Sequence, residues 1–222
     1  MAVITVKGTG KIKKAPDEIT VSMAVEGRDP AYEKALLLAE DQVKALEKAA
    51  GCAGFPEDSI KTANYNVRTE YEGVQDEKGN YRSVFSAYVC RYDLKLSFDM
   101  DLEKLRTFLA AVAAADARPE LYIRFGLKDP EEAGEEMLKE AVKDARRKAE
   151  LLAAEAGMRL GALLSIDYHV QERPYESPTM YAEEAAMDGA GMKKAAGVLA
   201  ARFVPEDVVS SDEATFRFEL LP

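Results

Sequence analysis

The only histidine of the chain, His169, follows Ser165 and Asp167 at two-residue intervals. On a strand, residues of like parity share a face. Ser165, Asp167 and His169 would then line up a nucleophile, an orienting acid and a base, the parts of a hydrolytic site. The spacing argues against it. Same-face neighbours on a strand stand about 7 Å apart, too far for a nucleophile–base hydrogen bond. No Gly-x-Ser-x-Gly elbow accompanies the serine. An exposed His169–Asp167 pair is the plainer reading, with a small-molecule or hydrolytic cleft beside His169 as the rival. The two cysteines, Cys52 and Cys90, have neither metal-ligand spacing nor a disulfide framework, and are read as free thiols. Cys90 shares the apolar parity of its strand and is expected buried and inert. Cys52 follows the first helical pattern and is the thiol placed to meet an oxidant.

Three further patterns could carry chemistry. Glu131-Glu132 and Glu135-Glu136 could hold a divalent cation. At the start of a helix they more simply complement the positive end of its dipole. Tyr65, Tyr71, Tyr81, Tyr88 and Tyr92 could form a stacking platform, or cross-strand pairs that stabilise a hairpin. The run "VKGTGKIKK" has the look of a phosphate cradle. A Walker loop needs glycine where Thr5 stands and Ser or Thr where Ile12 stands. A dinucleotide fingerprint needs its third glycine at Lys13. Gly8 and Gly10 are therefore read as permitting a turn or bulge between strands. None of these patterns calls for a cofactor, a metal or a catalytic set.

The background narrows the classes further. The 222 residues carry a formal charge of −10. No basic stripe interrupts it, so nucleic acid is not an expected partner. No run approaches the roughly 20 apolar residues of a membrane span. The N-terminus enters strand alternation at once, without the parts of a signal peptide. A cytoplasmic location is expected if Met1 is the native start, and a periplasmic one if a leader was removed.

The elements that must position these residues follow from periodicity. Residues 18 to 26 alternate, with Ile19, Val21, Met23 and Val25 on one face. Asp29-Pro30 is read as cap and first residue of a helix striped by Tyr32, Leu36, Ala39, Val43, Leu46 and Ala50, ending near Gly51. Residues 60 to 71 and 84 to 100 form a hairpin, whose second strand is long enough to need a bend or bulge. Asp101 caps a second helix. Residues 120 to 127 form a strand. Asp129-Pro130 with Glu132 opens a long helix striped by Leu138, Ala141, Val142, Ala145, Ala149 and Leu152. Leu164 to Val170 and Ala214 to Leu220 are strands. Residues 171 to 209 hold Pro174, Pro178 and Pro205 and read as a loop-rich excursion, partly disordered or with a short helix between 192 and 202. The class expected is α+β: an antiparallel or mixed sheet of hairpins with amphipathic helices on one face, in a single domain over 1–222.

Taken in order, "PDEITVSMAVEG", "DSIKTANYNV", "YDLKLSFDMDLEKL", "AVKDARRKAELLAAEAGMRLGALLSI" and "VVSSDEATFRFEL" resemble the SIMPL-domain family of bacterial proteins. The resemblance spans nearly the whole chain apart from the excursion. It implies an α+β fold, no accepted catalytic residues, and a link to stress tolerance. The expectation is a non-enzymatic module that binds a protein partner or forms a homo-oligomer, through the 60–100 hairpin or the 171–209 arm.

Overall fold

Alternation of apolar and polar residues in 18–29 buries Ile19, Val21, Met23 and Val25, all at most 1% exposed. The computed structural model describes residues 2–75, 81–169, 174–183 and 204–222. Their elements are β1 (Ala2–Lys14), β2 (Glu18–Asp29), α1 (Tyr32–Cys52), β3 (Lys61–Gln75), β4 (Tyr81–Asp99), α2 (Leu102–Ala114), β5 (Glu120–Gly126), α3 (Pro130–Glu155), β6 (Arg159–Asp167), β7 (Glu176–Glu183) and β8 (Val208–Leu221). The fold is α+β, as expected. It holds a three-stranded sheet, β1-β8-β6, and a five-stranded sheet, β3-β4-β2-β5-β7. The β1-β8-β6 and β3-β4-β2 ladders are antiparallel. The chain forms two compact units: Met1–Asp17 with Gly126–Pro178 and Pro205–Pro222, and Glu18–Phe125 with Thr179–Val204.

In the second unit, α1 and α2 cover one face of the sheet. Leu46 from α1, Leu105 and Phe108 from α2, and Leu94, Leu96 and Ile123 from the strands close its core. Each such side chain contributes roughly 1.5–3 kcal/mol by leaving water. The Asp101 side chain accepts from Lys104 N–H at 2.9 Å and caps α2. Helix α1 departs from its expected start. It begins at Tyr32, while Asp29 accepts from Ala31 N–H in the bend before it, so Asp29 shapes the approach rather than capping the helix. Its end also lies beyond Gly51, where Gly54 takes a positive φ of 76°. The expected bulge in β4 lies at Ser86, where the register passes from Glu70–Ala87 to Tyr71–Phe85, and a second shift, between Thr62 and Asn64, places its extra residue in β3.

In the first unit, α3 packs on β1 and β8, capped by Asp129, which accepts from Glu132 N–H at 2.8 Å, with Pro130 in the first turn. Two expectations are corrected here by one cause. Gly8 and Gly10 lie inside an unbroken strand, paired with Ala214 and Asp212, without positive φ. They serve close approach instead. A Cβ at Gly10 would collide with the carbonyl of Met137, and one at Gly8 with that of Ala141. A helix that close can present only a narrow stripe. The buried row is Ala133, Met137, Ala141, Ala145, Ala149 and Ala153, while Val142 and Leu152 are exposed. Gly27 makes the same provision in the second unit, facing Ala35 and Ala39 of α1. Within the stretch read as irregular, Glu176–Glu183 is strand β7. The expected helix at 192–202 lies outside the described residues.

Candidate functional site

Strand β6 carries Ser165 and Asp167 toward its end, with His169 two residues past it. The His169 ring nitrogen lies 3.4 Å from Asp167, and their side chains are 87% and 72% exposed. The two are thus brought together in open solvent, where an ion pair has little strength. Ser165 pairs across the ladder with Arg217. Cys52 is the last residue of α1 and exposed; Cys90 is buried in β4. Burial pushes the Cys90 thiol up, against a hydrogen bond with Tyr65 that opposes the shift.

The tyrosines of the hairpin form cross-strand pairs. Tyr65 and Tyr92 are ladder partners with ring centres 4.6 Å apart, and Tyr71 meets Phe85 edge-on at 6.0 Å. Burial, then the neighbouring Cys90 and Tyr32, push the Tyr65 hydroxyl up to about 12. Toward its tip the hairpin leaves the helices behind and becomes a two-stranded ribbon. One face presents Tyr71, Phe85 and Tyr81; the other presents Val74 and Val84. All five are exposed, Tyr81 by 77%. Composition had indicated the tyrosines and their pairing, but alternation alone does not reveal that nothing among the described residues covers either face.

Charged groups gather in two places. On the second unit's sheet, Arg91 donates to Asp93 at 2.8 Å, Glu120 at 3.0 Å and Glu26 at 3.2 Å. Burial works against the Arg91 charge, but these three carboxylates outweigh it and raise its pKa. Burial would also raise Asp93, yet hydrogen bonds from Asn64 and Arg91 hold it below its ordinary value. In the first unit, Thr9, Lys11, Glu140, Lys143, Asp144 and Arg147 line a surface cleft of about 380 Å³. Its charges are largely self-paired: Lys143 with Glu140 and Arg147 with Asp144, each at 2.8 Å.

Asp144 also accepts the Thr9 backbone N–H at 3.0 Å, and Lys148 donates to the Lys7 carbonyl at 3.0 Å. Strand β1 is an edge of its sheet. Two helical side chains therefore satisfy backbone groups that a neighbouring strand would otherwise take. The Lys148 hydrogen bond, then that from Thr9, then Arg147, hold the Asp144 carboxyl well below the usual carboxylate range against the effect of burial. These contacts occupy two backbone groups of the β1 edge. Glu131 and Glu132 lie in the first turn of α3, and Glu135 and Glu136 pair with Lys139 and Lys14. No group of three metal-ligating side chains occurs among the described residues.

The chain is an α+β protein of two sheets, with exposed apolar side chains on the β3–β4 ribbon. The SIMPL family profile, described as a protein of unknown function (DUF541), matches residues 4–218, and the chain belongs to that family. It is similar to the uncharacterized protein YggE of Edwardsiella ictaluri (strain 93-146). The two are 25% identical over 182 residues, which is 81% of this chain and 73% of that protein.

Proposed function

We propose that this SIMPL-family chain is a non-enzymatic assembly module whose β3–β4 ribbon joins copies into a homo-oligomer. The observation that carries the reading is the ribbon itself. A two-stranded ribbon has little stability of its own in water. Here it carries exposed aromatic and β-branched side chains on both faces, and β3 is an edge strand of its sheet. Apolar surface of that kind marks a contact site. A second copy of the ribbon offers both a matching ladder partner and matching apolar faces. The base of the ribbon is held to its sheet, since Arg28 reaches Glu70 at 3.1 Å and Glu72 at 3.3 Å. The stress tolerance implied by the family resemblance would, on this reading, belong to the assembled form.

The test is native mass spectrometry of the full chain with Tyr71→Arg and Phe85→Arg together. The expected result is a fall to a smaller oligomer or monomer with an unchanged circular dichroism spectrum. An unaltered oligomeric mass would remove the ribbon from the account.

A further inference from the structure

Unit 1 has two sheet edges, β1 and β6. On the β1 edge, Asp144 and Lys148 occupy backbone groups of Thr9 and Lys7. At the opposite edge, β6 has no strand beyond it among the described residues. Leu163 and Ile166 pair across the ladder with Phe218 and Phe216, so they lie on the face that α3 covers. They nonetheless stand beyond that cover, 48% and 53% exposed. An uncovered strand edge with apolar side chains on its core-side face is a template for another strand.

The sequence of β6, "RLGALLSID", says which strand. Laid antiparallel on itself about Leu163, it places Arg159 opposite Asp167 of the other copy, Leu160 opposite Ile166, and Gly161 opposite Ser165. Charge meets opposite charge at both ends, and apolar residues meet in the middle. The shape agrees with the charge. Register shifts lie on either side of Leu163, between Leu160 and Leu163 and between Leu163 and Ser165. The same two-fold axis sets each irregularity against the other. The present partners of the end charges are weak and exposed: the Pro222 carbonyl, 3.2 Å from Arg159, and His169 for Asp167.

We propose that β6 pairs antiparallel with β6 of a second copy, joining two three-stranded sheets into one of six strands about an axis through Leu163. The axis runs through the sheet, so both α3 helices fall on the same face, Leu163 meets Leu163 of the other copy, and Ile166 of each copy covers Leu160 of the other. The inference deepens the assembly reading and rests on its expectation of several copies, but it names a contact on a different strand from the ribbon.

The test uses the full chain and four variants, with native mass and circular dichroism read for each. Leu163→Lys with Ile166→Lys is expected to halve the wild-type mass while the fold signal holds, because both side chains are exposed. Arg159→Asp alone is expected to shift mass toward the half-size species, and Arg159→Asp with Asp167→Arg to restore it. The ribbon variant, Tyr71→Arg with Phe85→Arg, is expected to leave a dimer. An unchanged mass for the Leu163–Ile166 variant overturns the β6 contact and leaves the ribbon standing. A double charge reversal no better than the single one overturns the proposed register. A wild-type dimer indifferent to the ribbon substitutions but split by the Leu163–Ile166 pair supports this contact and removes the ribbon. A monomeric wild type overturns both.

Discussion

Asp144 stands in for a strand. Its carboxylate takes the Thr9 N–H and is held in place by Lys148 and Arg147, with only 20% of its side chain exposed. Because its folded pKa is depressed, its contribution to stability is present above the unfolded value of about 3.9 and is lost as pH falls through the folded one. Asp144→Asn is expected to cost about 1–2 kcal/mol near neutral pH, the scale of a charge-assisted hydrogen bond. In urea titrations the gap between wild type and variant should stay constant down to about pH 5 and then close below about pH 4. A gap that holds constant through pH 3 would show that the carboxylate charge is not what matters. The contrast with Asp167 is instructive. Both are aspartates beside a basic side chain, and the sequence singled out Asp167 because its partner was the lone histidine. The structure puts Asp167 in open solvent and Asp144 against a backbone.

At the scale of elements, the meeting of β1 and α3 decides how the first unit packs. A glycine in a strand loses more entropy on folding than any other residue. Gly8 and Gly10 bring the helix backbone within reach of the strand, and the alanine row of α3 fits the space. Gly10→Ala is therefore expected to cost about 3 kcal/mol, because the methyl meets the Met137 carbonyl, a backbone atom that cannot step aside. Leu152→Ala, at a position 52% exposed, should cost less than about 0.5 kcal/mol. Chemical denaturation of the two variants checks both values. If Leu152 proved the costlier, the stripe read from periodicity would be right and the alanine row wrong. Periodicity found α3 and its cap at Asp129, but its phase was set by the largest apolar side chains. On a helix facing glycine the smallest ones go inside. The cap of α2 at Asp101 and the core face of β2 were legible because each depends on neighbours only a few residues away.

For the whole molecule, charge and apolar exposure pull in opposite directions. Every copy carries a formal charge of −10, so bringing copies together gathers like charge. The ribbon's apolar faces gain from being covered. Salt shortens the reach of the repulsion, from about 30 Å at 0.01 M to about 8 Å at 0.15 M, and leaves apolar burial largely intact. The assembled fraction, followed by sedimentation, is expected to rise over that range. A fall would place charged contacts, rather than the ribbon, at the centre of the interface.

What the chain determined by itself was local: where strands alternate, which aspartates start α2 and α3, that β4 must bulge, that its charge deters polyanions, and which family it resembles. These follow from periods of 2 and 3.6 residues and from groups within a few positions of one another. What only the tertiary structure decided was whatever depends on distance in space. It set Gly8 and Gly10 against α3, placed Asp144 and Lys148 on backbone groups of the β1 edge, and, among the described residues, left the β6 edge without a further strand and both faces of the β3–β4 ribbon uncovered. A residue's type and parity say which way it points along its own strand. Whether another part of the chain arrives to cover it depends on packing between residues distant in sequence.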